Sequence, residues 1–221
     1  HLSIRRQRQM CIRDSHKIDS FGIYKGYEGL ISDDVKKLNA RSVKNIVNKG
    51  GTILKSARCH EFRTKEGRAK AKQTLDKYEI DSLVIIGGNG SLEGGKVFEE
   101  EHGIKVVGIP GTIDNDLAGT RCSLGYDTAL NTAVEAIDKI RDTAISHHRL
   151  FFVEVMGADA GYIALNSGLA IGAQEILIPE VNMSFDNLVN SLKKSKKSGK
   201  TSSIIVVAEG DKTGKNVFEL A

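Results

Sequence analysis

Two short apolar runs, each followed at once by glycine and small polar residues, most constrain the fold of this chain. The first, Ser82-Leu83-Val84-Ile85-Ile86, gives way to Gly87-Gly88-Asn89-Gly90-Ser91 and then to a helix-like stretch, Leu92 to Glu101. The second, Val106 to Ile109, ends at Pro110-Gly111 and enters Thr112-Ile113-Asp114-Asn115-Asp116. Short apolar runs bounded by turn signals read as buried strands. Strand, helix and strand within about two dozen residues fit one βαβ unit, which brings both following loops to the same carboxyl edge of a parallel sheet. The alternation recurs along the chain. It predicts strands at Ser20–Tyr24, Leu150–Val155, Glu175–Ile178 and Ser203–Ala208. It predicts helices near Val35–Lys49, Thr64–Lys77, Thr128–Thr143 (capped by Asp127) and Ala160–Ile171. The expected fold class is therefore α/β with a doubly wound, mainly parallel sheet.

The loops carry chemistry-bearing residues. On an extended or tightly turning backbone, side chains two apart share a face. Asp114 and Asp116 are thus expected to converge while Asn115 points away. Two carboxylates at a strand end can divide the work of phosphoryl transfer, one taking a hydroxyl proton and one holding a metal ion on the phosphates. An acidic turn is the plainer reading, since Asp and Asn are ordinary turn residues. The glycines after Ile86 let a phosphate approach backbone N–H groups at a helix start, with Ser91 as the expected cap. A plain strand–turn–helix connection accounts for them equally well.

Taken together, GGNGS, PGTIDND, Ser146-His147-His148-Arg149 and Val153-Glu154-Val155-Met156-Gly157 resemble ATP-dependent 6-phosphofructokinases in order and spacing. The segments from Gly22 to Leu30, Gly50 to Leu54, Ser56-Ala57-Arg58 and Glu61-Phe62-Arg63 look like the same family. The resemblance runs from about Phe21 to the C-terminus and is most specific in PGTIDND.

The resemblance implies transfer of the γ-phosphoryl of ATP to the 1-hydroxyl of fructose 6-phosphate, with magnesium (Mg2+) as cofactor, in a cytoplasmic, allosteric homotetramer of glycolysis. It implies Asp114 as the base, Thr112 as a steadying group for the transferred phosphoryl, and Asp116 as an aid to the metal. Arg58 and Cys59 would lie along the nucleotide, with Arg58 also facing the phosphates as a catalytic residue, and Gly88, Asn89, Gly90 and Ser91 would line its phosphates. Thr112, Ile113, Asp114, Met156, Gly157, Ala158 and Glu209 would form the sugar pocket. Arg149 would reach the sugar phosphate, typically of a neighbouring subunit. Pyrophosphate-dependent members tend to carry an acidic residue at the place of Gly90 and a lysine at the place of Gly111, so the two glycines favour ATP. Surface solvation is the competing fate of Arg58, Arg63 and Arg149, and the plainer reading of Glu209 is as the end of the Ile204–Ala208 strand. His147 and His148 receive no role, because adjacent positions diverge and no Cys/His cluster accompanies them.

Departures from the family are also legible. Asn89 stands where aspartate is usual, which puts an amide in place of an anionic metal ligand. Ala158 stands where arginine is usual. Residues 1–15 lack the expected strand and glycine-rich phosphate loop and read as a non-native extension. Asn216 to Ala221 stops where a helix would begin. The expected organisation is a nucleotide-binding domain over 16–120 and an unfinished substrate-binding domain over 121–221. NAD or diacylglycerol kinases share a glycine-rich phosphate loop but lack the PGTIDND and SHHR–EVMG pairing. A catalytically impaired piece that binds sugar phosphate or nucleotide without turnover is the alternative function.

Charge and cysteines narrow the class. The net charge is +4 over 221 residues, and residues 1–15 contribute most of it. A nearly neutral body argues against a nucleic-acid surface. The lysines 193, 194, 196, 197 and 200 follow a helix-like Ser184–Leu192 segment and read as a solvated helix end. Cys11, Cys59 and Cys122 show no disulfide or zinc spacing, which suits a reducing compartment. No apolar run of about 18 residues is present, so no membrane partner is expected.

Overall fold

The computed structural model describes residues 18–46, 49–147, 149–181, 183–199 and 202–214. The extension over 1–15 with Cys11, the Asn216–Ala221 helix start, His148 and Lys200 lie outside the described residues. The chain divides into two compact units between Pro110 and Gly111.

The first unit opens with β1 (Ser20–Ile23), α1 (Tyr27–Ile31) and β2 (Val35–Leu38). β1 and β2 pair antiparallel, from Ser20 opposite Leu38 to Ile23 opposite Val35. This corrects the helix expected over Val35–Lys49. Val35 is buried and Lys36 and Lys37 are exposed, and cross-strand pairing with β1 overrides the helix propensity of the Lys-Lys-Leu run. Asn39 then caps a 3₁₀ turn at Ala40–Val43, its side chain accepting from the backbone N–H of Arg41 (2.9 Å) and Ser42 (3.1 Å).

α2 (Lys65–Lys77) begins as expected, with Thr64 capping the N–H of Gly67 at 3.0 Å. Arg68, Ala71 and Leu75 recur at helical spacing and are buried, so one face of α2 turns inward. β3 (Ser82–Gly87), α3 (Asn89–His102) and β4 (Lys105–Pro110) form the predicted βαβ unit. β3 and β4 are parallel, with Gly87 opposite Pro110, so both loops leave the same sheet edge. Leu30, Phe62, Ala71, Leu75, Leu83, Phe98 and Ile104 make the core of this unit.

The second unit contains α4 (Tyr126–His147), β5 (Leu150–Val155), α5 (Tyr162–Ile171), β6 (Glu175–Leu177), α6 (Phe185–Lys197) and β7 (Ser203–Ala208). Its parallel sheet has the order β5-β7-β6. β7 is apolar on both faces because both are covered. Ile204, Val206 and Ala208 join Ile137 and Ala144 of α4 and Ala164 and Ile171 of α5. Ile205 and Val207 pack on the other side with Leu177 and Leu188. That two-faced packing is the doubly wound arrangement expected from the sequence.

Two helix starts are corrected, and the lysine run takes its expected place at a helix end. α4 starts at Tyr126, which places Asp127 inside the first turn rather than at the cap. α3 starts at Asn89 with Gly88 at the cap position, so Ser91 lies within the first turn. α6 runs through Lys197, so Lys194, Lys196 and Lys197 sit in its last turn, beside the negative end of the helix dipole. Among the described residues no helix is long and apolar enough to cross a membrane.

Candidate functional site

The first unit holds the glycine-rich turn between β3 and α3. The Gly88 carbonyl accepts the N–H groups of Ser91 and Leu92, both at 3.1 Å, and the cap residue itself offers no side chain. The helix start therefore turns backbone N–H groups toward whatever occupies the loop. A Cβ at Gly87 would lie 2.7 Å from Ser91 Cβ, so glycine is what lets the strand end and the helix start meet. A Cβ at Gly90 would meet nothing within 4 Å, which marks open space beside the turn. Asn89 and Gly90 are exposed and Gly88 and Ser91 are half-buried.

Tyr27, which the sequence reading passed over, secures this turn from below. Its hydroxyl donates to the Ser91 carbonyl at 2.6 Å and its ring stacks on Phe62 at a centroid distance of 3.7 Å. Burial pushes the Tyr27 hydroxyl well above the ordinary tyrosine range, so it stays a donor. Farther along α3, Glu101 receives two bonds from Arg68, Nε to Oε2 at 2.6 Å and Nη2 to Oε1 at 2.8 Å. That bidentate pair ties α2 to α3. The hydrogen bond from Arg68 holds the Glu101 carboxyl below its usual range. Arg58 is exposed on the loop before α2, whereas Cys59 is half-buried against the core.

The second unit holds the carboxylate loop, which follows directly on Pro110. Thr112 Oγ1 donates to Asp114 Oδ2 at 2.9 Å and accepts from the Asp114 N–H at 3.2 Å. The Thr112 N–H donates to Ser123 Oγ at 2.9 Å, and the Ser123 N–H donates to Asn115 Oδ1 at 2.8 Å. Asn115 has φ of 57°, a left-handed conformation that asparagine tolerates better than most residues. Asn115 thus has a definite role, which the expectation that it points away did not supply. Thr112, Ile113 and Asp114 are half-buried and Asp116 is exposed. Asp116 borders an open concavity of about 440 Å³, lined by the 115–121 segment and Tyr162.

The loops after β5 and β7 meet through Glu209. Its Oε1 accepts the N–H of Gly157 at 3.0 Å and of Ala158 at 2.5 Å, and its own N–H donates to the Val155 carbonyl at 3.0 Å. Gly157 has φ of 153° and Ala158 φ of 52°, so two consecutive N–H groups converge on one carboxylate oxygen. Met156 beside them is 62% exposed. Arg149 is exposed just before β5, with its carbonyl accepting from Ser203 N–H at 3.3 Å. The sequence-predicted residues thus fall into two sets. Arg58, Cys59 and Gly88 to Ser91 belong to the first unit, and Thr112 to Asp116, Arg149, Met156 to Ala158 and Glu209 to the second.

Architecture and loops define a parallel α/β protein with its polar, chemistry-bearing residues at the carboxyl ends of strands. The chain belongs to the phosphofructokinase family, whose model, described as Phosphofructokinase, matches residues 2–221. It is 53% identical over 193 residues to ATP-dependent 6-phosphofructokinase 2 of Bacteroides thetaiotaomicron, covering 87% of this chain and 59% of that protein. It is 54% identical over 199 residues to ATP-dependent 6-phosphofructokinase of Bacillus licheniformis, covering 90% and 62%. The chain therefore spans about three fifths of the length of these curated relatives. The solved structure of phosphofructokinase from Saccharomyces cerevisiae superimposes with a TM-score of 0.86 at 34% identity, over 98% of this chain and 34% of that one. A pyrophosphate-dependent phosphofructokinase from Marinobacter aquaeolei, at 21% identity and a TM-score of 0.76, shares the fold.

Proposed function

We propose that this chain is the larger part of an enzyme that transfers the γ-phosphoryl of ATP to the 1-hydroxyl of fructose 6-phosphate, giving fructose 1,6-bisphosphate and ADP. The observation that carries the reading is the Thr112–Asp114 pair, hydrogen-bonded at 2.9 Å on the loop leaving a parallel strand. Asp114 is the proposed base for the sugar hydroxyl. Thr112 is the proposed support for the phosphoryl group in flight. A transition state with charge spread over phosphoryl oxygens asks for such positioning rather than covalent help.

Gly88, Asn89, Gly90 and Ser91 are proposed to line the nucleotide phosphates, with Arg58 and Cys59 along the rest of the nucleotide. The open space at Gly90 supports ATP over pyrophosphate, because no side chain there competes with a larger donor. Met156, Gly157, Ala158 and Glu209 are the proposed sugar pocket, with Ile113 beside the base. Arg149 is exposed just before β5 and is proposed to serve the sugar phosphate of a neighbouring copy. The free thiols of Cys59 and Cys122 accord with a cytoplasmic setting.

The residues present fit magnesium. Asp116 carries an exposed, hard carboxylate of the kind that holds magnesium, and Asn89 is exposed at the glycine-rich turn. Among the described residues there is no cluster of three or more His, Cys, Asp or Glu side chains placed to hold a metal. When bound, magnesium would neutralise charge developing on the phosphates.

The test is coupled ADP release from this chain with magnesium-ATP, with and without fructose 6-phosphate, beside Asp114→Ala. Sugar-dependent release that the substitution and EDTA both abolish is the expected result. Release that ignores the sugar, or survives Asp114→Ala, refutes the reading.

A further inference from the structure

We infer that Asn115 and Ser123 are positioning residues for the Thr112–Asp114 pair; the inference rests on the phosphotransferase reading above. No part of that reading assigns either residue a role. The bonds form one continuous chain. The Asn115 amide oxygen takes the Ser123 N–H, the Ser123 hydroxyl oxygen takes the Thr112 N–H, and the Thr112 hydroxyl exchanges two bonds with Asp114. Each link fixes the next, and the last is the proposed base.

Position in the fold strengthens the argument. Ser123 is only 3% exposed, so water does not compete for its bonds as it would at the surface. Its bond to Thr112 closes the loop across 11 positions of sequence. The Asn115 Nδ2 group donates in addition to the Arg121 carbonyl at 3.4 Å, so one amide side chain grips the returning strand of the loop twice. Asn115 also supplies the left-handed backbone that turns the chain between the two aspartates. A reaction that depends on placing a hydroxyl, a carboxylate and a phosphoryl group within a fraction of an ångström is sensitive to slack in such a loop.

The links can be cut separately. Ser123→Ala removes the acceptor of the Thr112 N–H and leaves the Ser123 N–H to Asn115 bond in place. Asn115→Gly keeps the left-handed backbone and removes the acceptor of the Ser123 N–H. Ser123→Thr keeps the hydroxyl oxygen. Two readouts apply to each variant: hydrogen exchange at the Thr112 amide, and the kcat and KM of sugar-dependent ADP release.

The expected result is faster Thr112 exchange in Ser123→Ala and Asn115→Gly. It comes with kcat lowered about 10-fold to 100-fold and KM for ATP within about 2-fold, as for slackened rather than lost contacts. Ser123→Thr restores both readouts. Unchanged exchange, or faster exchange with unchanged kcat in folded Ser123→Ala and Asn115→Gly, overturns the inference. Wild-type protein without sugar-dependent release counts against the phosphotransferase reading instead. The exchange arm then still decides whether Asn115 and Ser123 hold the pair.

Discussion

Gly87→Ala tests the joint on which the proposed nucleotide site is built. The added Cβ would sit 2.7 Å from Ser91 Cβ and 2.8 Å from Ser91 Oγ. Reaching an ordinary contact of 3.4 Å requires a retreat of about 0.7 Å. Rotating the Ser91 side chain cannot provide it, because Cβ is fixed to the helix backbone. The backbone itself is held on two sides, by Tyr27 Oη on the Ser91 carbonyl at 2.6 Å and by the Gly88 carbonyl on the Ser91 N–H at 3.1 Å. Overpacking of this kind costs about 1–3 kcal/mol. Ser91→Gly alone removes the obstructing atoms and costs about 0.5 kcal/mol in helix propensity. The double variant Gly87→Ala/Ser91→Gly should therefore be more stable than Gly87→Ala by roughly 0.5–2.5 kcal/mol, a non-additive result diagnostic of direct contact. Urea unfolding followed by circular dichroism gives the three free energies, and ATP titration shows whether the nucleotide site weakens in Gly87→Ala and recovers in the double variant. A Gly87→Ala protein as stable as wild type, or a double variant that loses the sum of the two single losses, refutes the reasoning.

Other predictions concern the packing and the charged groups. Phe98→Ala, at a fully buried position between Phe62 and His102, should cost about 3–5 kcal/mol in urea unfolding. Glu209→Ala leaves the N–H groups of Gly157 and Ala158 without their acceptor and should cost about 1–3 kcal/mol, while Glu209→Gln, which retains a carbonyl oxygen, should cost less. In the proposed reaction Glu209→Ala should also raise KM for fructose 6-phosphate more than it lowers kcat, which steady-state kinetics would check. The hydrogen bond from Arg68 holds the Glu101 carboxyl below its ordinary value of 4.5, so the stability it contributes is present above that value and lost as pH falls through the lowered one. Wild-type protein should accordingly lose stability below pH 4.5 more steeply than Glu101→Gln in parallel unfolding experiments.

Much of the fold was legible because the relevant signals are local. Strands β5 and β7 matched their predicted limits, since each apolar run is bounded by polar residues and turn signals on both sides. The βαβ unit from Ser82 to Pro110 followed from the spacing of two such runs. The glycines at a strand end and the Thr-x-Asp-x-Asp run drew attention to the two loops, and the individual site residues, Arg58, Arg149 and Glu209 among them, were nominated by the family resemblance. Val35–Leu38 was misread because its composition suits a helix and its strand identity is conferred by β1, a partner no local pattern reveals. Ser91 and Asp127 were misassigned as caps because helix limits depend on hydrogen bonds that composition locates only to within a turn.

The sequence by itself determined the α/β class, most of the order of elements, the family and the loops on which the proposed site residues lie. The class and the elements follow from periodicities of 2 and about 3.6 residues and from glycine and proline punctuation, which act along a few neighbouring positions, and the family follows from the resemblance carried by the GGNGS, PGTIDND, SHHR and VEVMG motifs. Only the tertiary structure decided which bonds hold those residues in place. Tyr27 reaches Ser91 across 64 positions and Gly157 reaches Glu209 across 52. Ser123 closes on Thr112 from the far side of its own loop. Such pairings arise when packing brings distant backbone groups into reach, and an unfolded chain carries no periodic trace of them.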